Sequence, residues 1–99
     1  MKTDEQLCFA LGLAQKAGKL ASGDQGIWDT LKKKGRARYV LIAADASQRT
    51  TEKIVYWCDA NQVPYGKRLD RVRLGAAIGK APRAAVAILD DNFRKMMGF

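Results

Sequence analysis

Two apolar runs, within "YVLIAADA" at 39–46 and "RAAVAILD" at 83–90, decide what this chain can fold into. Neither shows helical spacing, and both are bounded by charged or polar residues. A strand that is apolar on both sides must be covered on both sides, so helices have to flank the sheet that holds them. The 39–46 run reads as a central parallel strand.

The remaining segments supply those helices. Thr3 and Gln6 have capping-box spacing, Leu7, Ala10, Leu11 and Ala14 recur at helical intervals, and Gly18 provides a stop. "KLAS" is short enough for a strand. Ile27 and Leu31 share a face of a second helix, with Ser22 or Asp24 as N-cap and Gly35 as terminator. A third helix starts from Ser47 or Thr50 and carries Ile54, Trp57, Cys58 and Asn61 on one side. In "QVPY", Pro64 places a brief strand at an edge. Residues 70–79 read as a fourth helix, with Gly75, Ala76 and Ala77 suited to close packing on the sheet. Asp90 or Asp91 caps a last short helix bearing Phe93, Met96 and Met97. Such alternation in 99 residues gives one α/β domain spanning 1–99, a three-layer α/β/α sandwich.

Composition narrows the chemistry. The chain has no histidine, which removes the usual zinc ligand and the usual base of Ser or Cys nucleophiles. Cys8 and Cys58 sit apart within apolar helical patterns and read as reduced core residues. The expectation is therefore no enzyme, no metal and no cofactor. No apolar stretch is long enough to span a membrane and no secretory leader is evident, so the chain reads as cytoplasmic, with no membrane partner. A net charge of +8 points instead to a polyanion, nucleic acid first. The excess is concentrated in Lys32 to Arg38 and in Lys67 to Arg83.

Two loops invite a ligand. "SGDQG" at 22–26 is a glycine-bracketed turn that either holds an anion on free N–H groups or merely starts a helix; it lacks the spacing of a P-loop or a dinucleotide fingerprint. "LGAAIGKAPR" at 74–83 ends in a small, basic loop of Lys80, Ala81, Pro82 and Arg83. Asp45 closes the first buried run without a matching base or nucleophile, and the Asp90 and Asp91 pair suits capping. Trp28, at the margin of its helix stripe, suits packing at the rim rather than stacking on a base.

Taken in order, "LGLAQKAGKLASGDQ", "YVLIAADAS", "VPY" and "LGAAIGK…RAAVAILDDNF" resemble the segments of the L-seven-Ae ribosomal protein family of kink-turn RNA binders, closest to its small bacterial YlxQ-like branch. The resemblance implies a mixed four-stranded sheet, no catalysis, and recognition of a sharply bent internal loop in RNA. It implies kink-turn or ribosomal RNA, and with it the ribosome, as partner, with no DNA specificity. In the family a glycine-led turn meets the tandem G·A pairs beside the bend, and a small-residue loop lies against the flipped-out nucleotide. These positions match Gly23 to Ile27 and Lys80 to Arg83. The family turn reads G-x-N-E-x-x-K, whereas this chain has Gly23, Asp24, Gln25, Gly26, Ile27, Trp28 and Asp29. The expected RNA-binding set is thus Gly23, Asp24, Gln25, Gly26, Lys32, Lys33, Arg71, Lys80, Ala81, Pro82 and Arg83. Gln25 reads a purine edge, the cations hold phosphates and both basic patches meet the two loops. The competing readings are a protein–protein module using Trp28 or the Phe93, Met96, Met97 and Phe99 tail, and an enzyme holding a phosphorylated metabolite between Asp45 and the 22–26 turn.

Overall fold

A computed structural model describes residues 3–99. The elements follow one another as α1 (Asp4–Lys16), β1 (Leu20–Ser22), α2 (Gly23–Lys32), β2 (Tyr39–Ile42), α3 (Gln48–Ala60), β3 (Tyr65–Lys67), α4 (Arg71–Ala77), β4 (Ala85–Ile88) and α5 (Asp91–Met96). The sheet order is β1-β4-β2-β3, with β4 antiparallel to both neighbours and β2 parallel to β3. The two apolar runs are the interior strands, as their double-sided burial requires. The central parallel strand expected at residues 39–46 is β2, which runs parallel to β3 on one side; its other neighbour, β4, is antiparallel, since an apolar run reports burial and carries no information on the direction of each neighbour.

Alternation along β2 and β4 divides the core into two. Leu41, Val86 and Ile88 face Leu7, Leu11, Leu74 and Met97 from α1, α4 and the end of α5. Val40, Ile42, Ala85 and Ala87 face Ile27, Leu31, Ile54 and Cys58 from α2 and α3. Both clusters are essentially dry, and this is the three-layer arrangement. β3 begins at Tyr65, after Pro64, and lies at the sheet edge; the Pro64 carbonyl accepts from the Val40 N–H.

Helix starts obey local chemistry. Thr3 and Gln6 form the reciprocal capping box, Ser47 accepts from Thr50 N–H, and Asp70 and Asp90 cap α4 and α5. Asp4 accepts from Arg68 at 2.6 Å and Arg73 at 3.2 Å, and the Arg68 hydrogen bond holds its carboxyl below the ordinary range. Two terminations differ from expectation. α2 ends at Lys32, three residues before Gly35, because Lys33 already adopts extended backbone; Asn61 leaves the apolar face of α3 to cap its end, exposed.

The topology gives the sheet two unlike edges. At the exit edge β1, β2 and β3 end and β4 begins, with Ser22 opposite Val86 and Ile42 opposite both Ala85 and Lys67. At the entry edge Leu89 N–H reaches Lys19 O and Arg38 N–H reaches Ile88 O.

Candidate functional site

Four connections converge at the exit edge: the β1–α2 junction, the β2–α3 loop, the β3–α4 turn and the loop from α4 into β4. Three helices therefore point their positive ends toward it. The starts of α3 and α4 are occupied by side chains. Ser47 takes the Thr50 N–H, while Asp70 takes that of Arg73 and Asp45 that of Arg71 at 2.8 Å. α2 differs, since its N-cap Ser22 makes no side-chain capping bond and its first residue, Gly23, has φ +80°. Only glycine adopts that conformation at little cost, and it leaves open space above the first turn.

The α4–β4 loop is laid back along its own helix. Lys80 N–H bonds Gly75 O at 2.9 Å, and Arg83 N–H bonds Arg71 O at 3.1 Å. A Cβ on Gly75 would overlap the Ala81 carbonyl, coming within 2.7 Å of its carbon and 2.9 Å of Pro82 Cα. The sheet-packing role expected of Gly75, Ala76 and Ala77 is thereby corrected: Gly75 admits the loop backbone, Ala76 is exposed, and Ala77 lies against α1, where its carbonyl faces Gly12. Ala81 and Pro82 are exposed at the tip, and the Arg83 guanidinium donates to both of their carbonyls, stiffening the loop.

The structure brings Gly23, Asp24, Gln25, Gly26, Arg71, Lys80, Ala81, Pro82 and Arg83 to this edge, with unequal freedom. Gln25 is exposed and donates to Asp29 at 2.8 Å; that hydrogen bond, followed by Lys32, holds the Asp29 carboxyl below its ordinary range. Asp24 pairs with Lys53 of α3, whose ammonium also lies 5.4 Å from the Trp57 ring. Trp28 packs on Trp57 with ring centroids 5.0 Å apart, as expected of a rim residue. Arg71 approaches Asp45 at 3.5 Å, so the carboxylate considered for catalysis orients an arginine instead.

Lys32 and Lys33 do not join the turn. They sit at the far end of the ten-residue α2, about 15 Å along its axis from Gly23, toward the entry edge. The expectation that both basic patches meet the two loops is corrected accordingly. A helix that starts at one edge of so short a sheet must end at the other. Sequence reasoning omitted Arg49, in the first turn of α3, and counted Lys67, the last residue of β3, in the second basic patch without naming it in the RNA-binding set; both are exposed at the exit edge. Their signal was available, since each lies within two residues of a strand end or helix cap.

Gly26 offers a direct probe. A Cβ there would meet only Ala21 Cβ, at 3.9 Å, and Gly26 lies within a helix whose Thr30 hydroxyl bonds its carbonyl. Gly26→Ala is expected to stabilise the protein by about 0.5–1 kcal/mol in urea denaturation. If RNA approaches this backbone closely, the same variant binds RNA more weakly.

Elsewhere the side chains considered for partner binding are largely engaged inside the protein. Met97 is buried, Phe93 is partly buried, and Phe99 stacks on Tyr39 with centroids 4.3 Å apart, leaving Met96 and Phe9 exposed. Burial pushes the Cys58 thiol up to about 11, consistent with a reduced core residue. Among the described residues no helix is long and apolar enough to cross a membrane, and no three His, Cys, Asp or Glu side chains gather as metal ligands.

Comparison with known proteins agrees with this architecture. The pattern of the ribosomal protein L7Ae/L30e/S12e/Gadd45 family matches residues 5–97. The chain is 40% identical over 83 residues to RNA-binding protein YlxQ of Bacillus subtilis (strain 168), covering 84% of this chain and 82% of that protein. It is 34% identical over 83 residues to large ribosomal subunit protein eL30 of Trypanosoma brucei brucei, covering 80% and 75% of the two chains. A solved structure of a protein of unknown function from Bacillus halodurans superposes with a TM-score of 0.84 at 30% identity, covering 94% of each chain.

Proposed function

The chain belongs to the ribosomal protein L7Ae/L30e/S12e/Gadd45 family, and on that premise we propose that it binds structured RNA of the kink-turn kind at the exit edge of its sheet. The observation that carries this reading is the convergence of the uncapped glycine turn at Gly23 with the loop at Lys80–Arg83. In the proposed complex Gly23 and Gly26 admit a close backbone approach. Gln25 presents its amide oxygen and remaining N–H to a purine edge. Arg71, Lys80 and Arg83, joined by Arg49 and Lys67, hold phosphates, while Ala81 and Pro82 shield the bend. The role carries no catalysis. Its setting is the cytoplasm, on or near the ribosome, in keeping with the relatives named RNA-binding protein and ribosomal subunit protein.

The test is a titration against a kink-turn RNA and the same RNA with its tandem G·A pairs replaced by Watson–Crick pairs, at 50 and 200 mM salt. The two RNAs carry equal charge, so a preference of roughly tenfold or more that survives the higher salt reports shape and base edges. Gln25→Ala is expected to cut that preference by about 1–3 kcal/mol, the worth of a bidentate base contact. Equal and salt-sensitive binding of both RNAs would leave only a basic surface.

A further inference from the structure

The basic patch that the exit edge does not use lies at the other end of the molecule. Lys19, Lys33, Lys34 and Arg36 surround an open groove of about 420 Å³ floored by Gly18, Gly35 and Leu89. It adjoins a second cleft lined by Lys32, Asn61 and Gln62. Gly18 and Gly35 both have positive φ, +71° and +79°, with nothing within 4 Å of where a Cβ would stand. The floor is therefore backbone that a ligand can approach.

The scarcity of acids around this groove separates it from an ordinary solvated helix face. Lys32 is paired with Asp29 and Arg38 with Asp91, whereas Lys19, Lys33, Lys34 and Arg36 have no acid within ion-pair distance among the described residues. Lysines in a last helical turn balance the negative helix end, and Lys16 and Lys32 already do so for α1 and α2. The four unpaired cations lie beyond those ends. The C-termini of α1, α2 and α3 contribute at most about −0.5 each, and only locally, against four full positive charges. Their mutual repulsion, eased at Lys33 by the nearby Asp29 carboxylate, costs the folded state some stability and is relieved when an anion is present.

We propose that this groove is a second polyanion site, taking the phosphate backbone of an RNA segment distinct from the one met at the exit edge, so that one molecule of the protein holds two RNA segments together. The edges are separated by α2, about 15 Å long, which exceeds the Debye length of about 10 Å at 0.1 M salt. Charges at the two sites are largely screened from one another at that salt. RNA fits better than a membrane surface, because among the described residues none of the exposed large apolar side chains (Phe9, Leu13, Tyr56, Tyr65, Val72, Met96) lines the groove to anchor it in lipid.

The experiment loads the protein onto an immobilised kink-turn RNA and measures capture of a labelled plain duplex. The comparison is the variant Lys33→Ser, Lys34→Ser, Arg36→Ser, whose positions are all exposed. The wild type is expected to capture the duplex. The variant should lose capture at least about tenfold, with a salt slope shallower by about 2–3, while its kink-turn affinity stays within about threefold. Its thermal midpoint should be unchanged or raised, whereas a purely structural role for these cations requires it to fall. Capture by the variant equal to wild type, or equal loss at both RNAs, would overturn the second site. So would a loss seen only when vesicles of anionic lipid replace the duplex as the probe. Direct duplex titration of both proteins is the parallel arm. It reads the groove even if kink-turn specificity fails, so the two hypotheses fail separately.

Discussion

Gly75→Ala is expected to destabilise the protein by about 1–3 kcal/mol, the cost of forcing a methyl group into a filled space, and to weaken RNA binding together with stability. The cause is local and specific. A Cβ at this position meets the backbone of Ala81 and Pro82, not a side chain that can rotate aside. The loop is held at both ends, by Lys80 N–H on Gly75 O and Arg83 N–H on Arg71 O, so it cannot lift without losing hydrogen bonds. Urea denaturation reads the stability, and amide exchange at Lys80 and Arg83 reads whether the loop has detached. Gly79→Ala is the control. It places a side chain at φ +72° in open space, costing about 1–2 kcal/mol of backbone strain without pushing on the loop. If both variants lose similar stability but only Gly75→Ala loses RNA affinity, the loop's position is what binding needs. A Gly75→Ala protein with wild-type stability and exchange would show that the loop seats itself by other means.

Gly75 also marks how far the sequence could be read. Its small neighbours and the glycine stop after them were legible as close packing, but the partner was not, because nothing in "LGAAIGKAPR" says whether the helix meets a sheet or its own return loop. The Thr3–Gln6 capping box, the Ser47 cap and the two interior strands were legible because local spacing alone produces them. Strand direction was not: β2 and β4 are equally apolar whichever way their neighbours run. The site divides along the same line. Gly23 and the Lys80–Arg83 loop were visible as chain punctuation. Lys32 and Lys33 were assigned to the wrong edge because charge runs were placed by sequence distance from the turn, without carrying the helix across the sheet. The hydrogen bond from Gln25 to Asp29 was implicit in their i, i+4 spacing, yet only its geometry shows that the residue expected to read a base is tied to the residue that reverses a charge.

That tie leads to the second large effect. Asp29→Lys is expected to raise affinity for a kink-turn RNA by roughly tenfold or more near 0.1 M salt and to steepen the salt dependence by about 1–2, since one substitution removes a phosphate-repelling charge and adds a phosphate-binding one. Asp29 now draws in both the Gln25 amide and Lys32 at 3.3 Å, so the substitution also releases a donor and a cation along the exposed face of α2. Two effects compete. Removing the carboxylate frees Gln25 to meet RNA, but it also removes the acceptor that holds the amide in one orientation. Asp29→Asn separates them: asparagine keeps an acceptor for the Gln25 N–H and carries no charge. If repulsion dominates, Asn recovers part of the gain of Lys at unchanged discrimination between kinked and Watson–Crick RNA. Orientation by Asp29 would show as a difference between the two variants, with discrimination falling in the Lys variant while its total affinity rises, and the Asn variant keeping its discrimination. In that case the departure at position 29 is a substitute clamp for the base-reading side chain. A fall in total affinity with Lys would mean that RNA phosphates do not pass this face of α2, and the contact would have to be sought on the side of Lys80 alone.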